Sequence, residues 1–245
     1  MKRFFKLNII SIIILIGYAE LPAQSFGFGC LGLSGFYAGF SNESYDASGI
    51  NAFMTGQFQT GQIPAQIKFE KGTGYRIGAN FVRAQFDQFF ISAKGYYQFL
   101  KEEHTTSELS GTSIVNSSHK LSLNHWGVGI DLGVKLFWIL DWKAVEGNIN
   151  FYDGNFTSEY SKDNIPQSSS KYNSDKIQIG YFAGTGLVLH IVPDYISLEG
   201  TAGYHFNKLD IFRSTDAFGN EIDIKNAVSK GGFGLTVQLN VGFPL

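Results

Sequence analysis

The chain of 245 residues carries a net charge of −2 and one cysteine, Cys30, which leaves no basic field for nucleic acid and no internal disulfide. Aromatic residues reach 16%, charged residues, also 16%, fall well below the usual quarter, and 29 glycines with five prolines suit strands and tight turns better than disorder.

Residues 1–23 read as a secretory signal peptide. Lys2, Arg3 and Lys6 precede an apolar run from Leu7 to Gly17, and small residues follow at Ala19 and Ala23. Cleavage is expected after Ala23, with Ala19 as the alternative. The apolar run, about a dozen residues, is too short to cross a bilayer as a helix, and no later window holds the ~18 apolar residues that a spanning helix needs. Residues 24–245 are then read as one domain.

Strand periodicity begins at once. Phe26 to Phe40 is an apolar strand whose phase shifts near Gly29, which predicts a bulge. It contains a literal G-x-G-x-x-G from Gly27 to Gly32, but no strand precedes it and no helix follows, so the dinucleotide reading lacks its context. Next, "YDASGINAFMTGQ" offers Asp46 and Ser48 as helix caps before Ile50, Phe53 and Met54. Either a short amphipathic helix over the mouth of the sheet or on the membrane surface, or an irregular lid, fits this stretch.

Seven further runs alternate large apolar residues with small or polar ones, the period of a strand. They cover Gly74–Ala84, Phe89–Phe99, Trp126–Trp138, Val145–Phe151, Ile177–Ile191, Ile196–Phe206 and Phe233–Phe243. The joins "FDQ", the few residues about Ile139 and Leu140, and Pro193-Asp194 are short, whereas 41–66, 101–120, 154–175 and 210–228 are long and polar. Short and long joins alternate, so all the long ones share one end of an even-stranded antiparallel sheet. The third, "SEYSKDNIPQSSSKYNSDK", reads as mobile. Hairpins centred near Asp87, between Ile139 and Leu140, and at Pro193-Asp194 keep the polar sets together. The last of them sets Ser197 opposite His190 and Val188 opposite Glu199.

These features predict an all-β fold: an eight-stranded antiparallel transmembrane β-barrel with short turns at one end and four long loops at the other. An eight-stranded barrel has room inside only for side chains, so the glycine-rich faces must line it and the bulky faces must lie outside. Twelve steps from Trp126 to Trp138 give ~40 Å along the strand, or roughly 30 Å of height at a tilt near 40°. That places a Trp at each membrane interface. Phe89 and Tyr195 join Trp126 and Trp138 as the lipid-facing girdle, with Phe86, Phe90, Phe137 and Trp142 crowding the short-turn end. A soluble, inside-out barrel is the competing fold.

In this pattern the chain resembles the small eight-stranded outer-membrane barrels, the OmpX-like proteins and the membrane domain of OmpA-like proteins, over Phe26 to Leu245. The resemblance implies an integral outer-membrane location with both termini periplasmic, and a surrounding of outer-membrane lipid and lipopolysaccharide. It also implies the barrel assembly machinery as a partner in biogenesis. The terminal strand departs from that family's usual aromatic last residue by ending in Pro244-Leu245. The aromatic-rich, Asn-rich style is similar to that of Bacteroidota envelope proteins.

The inward ionisable residues are Arg76, Lys94, Asp131, Lys135, Glu146, His190, Glu199 and His205. Buried charges are stable only in pairs, so they are expected to form a structural network in the lumen, with Lys135–Glu146 and His190–Glu199 as diagonal neighbours. No metal or cofactor is expected, because Glu102, Glu103 and His104 lack ligand spacing across strands. The function expected is non-enzymatic: envelope integrity, adhesion, or docking to an envelope protein through the outer loops. One alternative is a lipid-A-modifying enzyme using His104, His119 or His125 with Ser107, Ser110, Ser117 or Ser118; another is a narrow solute or ion pore.

Overall fold

The computed structural model describes residues 35–59, 66–110, 113–163, 165–193, 195–215 and 221–242. The signal segment, Cys30, the bulge expected at Gly29, Asp194 and the last three residues lie outside them. In chain order the elements are β1 (Gly35–Asp46), α1 (Ser48–Gln59), β2 (Lys71–Phe86), β3 (Phe89–Ser110), β4 (Ser113–Phe137) and β5 (Leu140–Lys162). Then come β6 (Ile165–Ser174), β7 (Gln178–Val192), β8 (Ile196–Phe206), β9 (Leu209–Thr215), β10 (Glu221–Val228) and β11 (Lys230–Gly242).

Eight of these strands close a ring in the order β1–β2–β3–β4–β5–β7–β8–β11, every neighbour antiparallel. Closure removes both sheet edges at membrane level, which is the only way strands can cross hydrocarbon without stranded backbone donors. The short turns are tight. Phe86 pairs with Phe89 about Asp87-Gln88, where Asp87 adopts a left-handed φ of 51°. The β7–β8 register sets His190 against Ser197 and Val188 against Glu199, as the alternation predicts.

The β4–β5 hairpin differs from its expected register. It turns on Trp138-Ile139, with Phe137 paired to Leu140 and Trp126 to Phe151, so the register lies two residues from the expected one. A slip of two keeps every side chain on its face, which is why the alternation could not detect it. Irregularities at Leu132/Val134 and Lys135/Phe137 accompany the shift.

The long joins are mostly strand. β3 and β4 run on as a paired ribbon to Ser110 and Ser113, and the polar stretch read as mobile is the β5–β6 hairpin, Phe156 facing Tyr172. β6 carries β9, and β9 carries β10. Above the ring the sheet therefore continues as β3–β4–β5–β6–β9–β10.

Each long strand changes its apolar face along its length. On β4 the outward Trp126, Val128, Ile130 and Leu132 are about half exposed or more, while higher up Leu121 and Leu123 are buried inside and Lys120 points out. β5 does the same, with Phe151 outside and Tyr152 and Phe156 inside. The crossover marks where hydrocarbon gives way to water. Aromatic side chains mark that level: Phe40 against Tyr75, Tyr97 against Trp126, and Tyr204 against Phe206, with ring centroids 4.7 to 5.9 Å apart. Among the described residues, no helix is long and apolar enough to cross a membrane.

Candidate functional site: the barrel interior and its covered mouth

Inward glycines make room for inward aromatics. A Cβ on Gly127 would run into the Tyr96 ring, one on Gly133 into Phe90, one on Gly78 into Tyr37, and one on Gly184 or Gly203 into Phe182. Phe90 is therefore a lumen residue, not part of the outer girdle. It pairs with Gly133, and strand parity turns it inward while Phe89 faces out. Trp126, Trp138, Phe89 and Tyr195 all project outward and are at least half exposed.

The ionic layer lies in the middle of the ring. Lys94 Nζ sits 3.1 Å from Asp131 and 2.7 Å from Glu146. The Lys143 ammonium group contacts Glu146 and Glu199, and lies 3.9 Å from Asp131. Thr201 Oγ1 donates to Glu146 at 3.3 Å, and Asn148 Nδ2 reaches the same carboxylate at 2.8 Å. All five charged groups are buried. Asp131, Glu146 and Glu199 offer oxygen atoms within 4.8 Å of one another, enough to hold one cation. Lys94 and Lys143 already supply that positive charge.

Above this layer Arg76 donates to Gln98 at 2.9 Å and stacks on Tyr96 at 4.1 Å from the ring centre. Ser41 Oγ bonds Gln98 and Thr236. Higher still, His205 lies 3.5 Å from Glu43 and 3.3 Å from the Tyr152 hydroxyl, with His125 tilted over Tyr152 at 4.4 Å. At the short-turn end Asp141 accepts from Arg83 at 2.9 Å and lies 2.8 Å from His190.

Two expected pairs are not formed. Lys135 is exposed near the short turn and sits across from Asp141, because the register shift and the irregularity at Leu132/Val134 together carry it away from Glu146. His190 meets Asp141 instead of Glu199, whose carboxylate is taken by Lys143. Lys143, Asp141, Arg83 and Glu43 escaped the sequence reading. The first two fall on the opposite phase from Glu146, and the structure places a register irregularity between Lys143 and Glu146 that brings all three inside.

The mouth is covered by an apolar core built from both sides. Leu100, Leu121, Leu123, Phe156, Tyr172, Leu209, Phe212 and Ile224 come from the extended strands, and Ile50 and Met54 from α1. The stretch is a helix that buries Ile50 and Met54 in this core, the first of the two conformations open to it. Its first turn is capped at Ala47, whose carbonyl accepts from Asn51 N, so neither Asp46 nor Ser48 takes the cap position. Asn51 then clamps Phe69 by both backbone groups, accepting from its N–H at 2.7 Å and donating to its carbonyl at 2.9 Å. Glu102 straps the same segment, accepting from Tyr45 at 2.6 Å and from the amides of Glu70 and Lys71.

One nucleophile–base pair that the sequence did not reveal stands on the inner face of the extension. Ser158 Oγ lies 3.0 Å from His119 Nδ1, both buried, with Tyr160 packed on the imidazole and bonded to Gln57 of α1. Burial, and then the neighbouring His104, push the His119 imidazole down to about 4. A base that weak takes a proton poorly at neutral pH. The nearby carboxylate, Glu102, is bound to His104 at 3.0 Å.

No protein-family model matches the sequence, and no curated protein is detectably similar to it. Solved structures are similar in fold. The attachment invasion locus protein Ail of Yersinia pestis, solved with the heparin analogue sucrose octasulfate, is 12% identical, with a TM-score of 0.41 over 86% of this chain and 97% of that one. Neisserial surface protein A is 11% identical, with a TM-score of 0.39 over 85% and 97%. The outer membrane protease OmpT of Escherichia coli is 8% identical, with a TM-score of 0.38 over 86% and 94%. The ring closure and the exposed apolar belt of this chain themselves make it a transmembrane β-barrel of the outer-membrane type.

Proposed function

We propose that this barrel is a non-enzymatic outer-membrane protein with a closed lumen, whose extended strands and α1 form a recognition platform at the cell surface. In this reading both termini and the short turns face the periplasm, lipid and lipopolysaccharide surround the belt, and the barrel assembly machinery inserts the chain. The observation that carries it is the pairing inside the ring. Two buried lysines and three buried carboxylates form ion pairs across the lumen, and an apolar core with its own helix lies above them. A conducting pore needs a wetted path, and both layers oppose one. Rigid scaffolds commonly carry recognition on their connections, here stiffened into strands.

Two measurements test this reading. Purified protein in planar bilayers is expected to stay electrically silent; steady channel events would reject the closed lumen. Cross-linking in intact cells should capture an envelope or surface partner through the β3–β4 and β5–β6 hairpins, whereas capture only through the short turns would invert the orientation.

The Ser158–His119 pair favours one second reading, an acyl-transfer enzyme acting on lipid A. Lipid A from cells carrying Ser158→Ala is expected to match the parent by mass. A changed acyl pattern would make the enzyme reading the better one.

A further inference from the structure

Outside the ring, at the upper edge of the apolar belt, a groove of about 520 Å³ runs between β7, β8 and β11. Ile179, Tyr204 and Phe206 form its apolar part, and Lys208, Ser229 and Lys230 line it toward the long-connection end. Cross-strand partners carry the level of Trp126 to Phe151, and that of Phe151 to Ile179. Two strand spacings of ~4.8 Å at a tilt near 40° displace that level by only about 6 Å. The groove thus sits where the hydrocarbon-facing surface ends and headgroups begin.

Its construction is amphipathic. Ile179 and Phe206 are each more than half exposed and continue the lipid-facing belt. Tyr204 packs on Phe206 at 4.8 Å and donates to the Gly231 carbonyl at 2.9 Å, which fixes the floor. Lys208 pairs with Asp210 at 2.7 Å, both about half exposed, and Asp46 is the cross-strand neighbour of Lys230. An exposed pair of this kind contributes little, so the Lys208 ammonium group can change partners at small cost. A free anion would use the lysines and leave the aromatic wall idle, and an uncharged lipid would do the reverse. A phosphorylated lipid uses both, with the lysines lying over an interfacial headgroup as cationic side chains at a membrane surface do.

We propose that this groove binds one phosphorylated lipid of the surrounding leaflet, its phosphate between Lys208 and Lys230 and its acyl chain along Ile179 and Phe206. The inference rests on the outer-membrane reading. Native mass spectrometry of the full folded chain, released from detergent micelles after addition of bis-phosphorylated lipid A, tests it. The wild type should retain one lipid. Lys208→Gln with Lys230→Gln should retain about tenfold less, while Lys120→Gln with Lys162→Gln, on exposed positions elsewhere, should behave as the parent. Equal retention by the Lys208/Lys230 variant, equal retention of dephosphorylated lipid A, or binding of inorganic phosphate as tight as that of the lipid would each overturn the site. Boiling separates the two levels of failure. A chain whose gel migration does not change on boiling would remove the barrel and the groove together, whereas a heat-modifiable chain without lipid selectivity would remove the groove alone.

Discussion

At the residue scale, the interior is governed by the cost of an unpaired charge. Lys143 touches two carboxylates, so Lys143→Met would leave Glu146 with Lys94, which Asp131 also uses, and Glu199 with only the neutral Thr201 and Asn240 in contact. The expected loss is about 3–5 kcal/mol, read as a lower temperature for conversion of the fast-migrating folded form on gels. Adding Glu199→Leu should recover most of it, because the surplus negative charge goes too. The glycines obey a steric rule instead. Gly127→Ala places a methyl group in the Tyr96 ring and should cost about 1–3 kcal/mol, with Tyr96→Leu relieving the clash. Individual charges such as Arg76, Lys94 and Glu199 were legible in the sequence as inward polar residues. Their partners were not, since Lys143 and Asp141 reach the lumen only through an irregularity that strict alternation cannot represent.

At the scale of elements, the extension above the ring behaves as a small folded layer with its own core, fastened by α1. Asn51→Ala removes both hydrogen bonds that hold Phe69 and should cost the layer about 1–3 kcal/mol. Amide exchange at Phe69 and along α1 should quicken while the folded-form conversion temperature of the ring stays put. His119 gives the same layer a pH dependence. Its imidazole is held at about 4 by burial and then by His104, with Ser158 and Tyr160 as its other neighbours. An unfolded extension binds a proton below the ordinary histidine value near 6.5; the folded one refuses it until about 4. Stability is therefore full above pH 6.5, declines as pH falls toward 4, and levels off below. Exchange rates along β4, corrected for their intrinsic pH dependence, should show this decline, and His119→Asn should flatten it.

At the scale of the whole molecule, one architecture meets two solvents. Within the belt the apolar faces look outward; above it, on the same strands, they look inward. Spin labels at Ile130 and Val237 should be relaxed by oxygen dissolved in the bilayer, whereas a label at Gln238 should be shielded from it. Oxygen reaching Gln238 while sparing Ile130 would mean that the ring is turned inside out.

Alternation over Trp126–Trp138 and the other runs was enough to establish the eight strands of the ring, the common end of the long joins and the outward face, because side-chain direction in a strand has period two and an eight-stranded ring cannot hold its bulky set inside. The polar joins concealed their structure because in water a strand needs only sparse inward anchors such as Phe156 and Tyr172, too few to read as a pattern. Register to within two residues, the pairing of Lys143 with Glu146 and Glu199, and the seating of α1 over the mouth were decided in three dimensions. Each depends on side-chain contacts made across strands and at irregular positions, whose energies local periodicity does not encode.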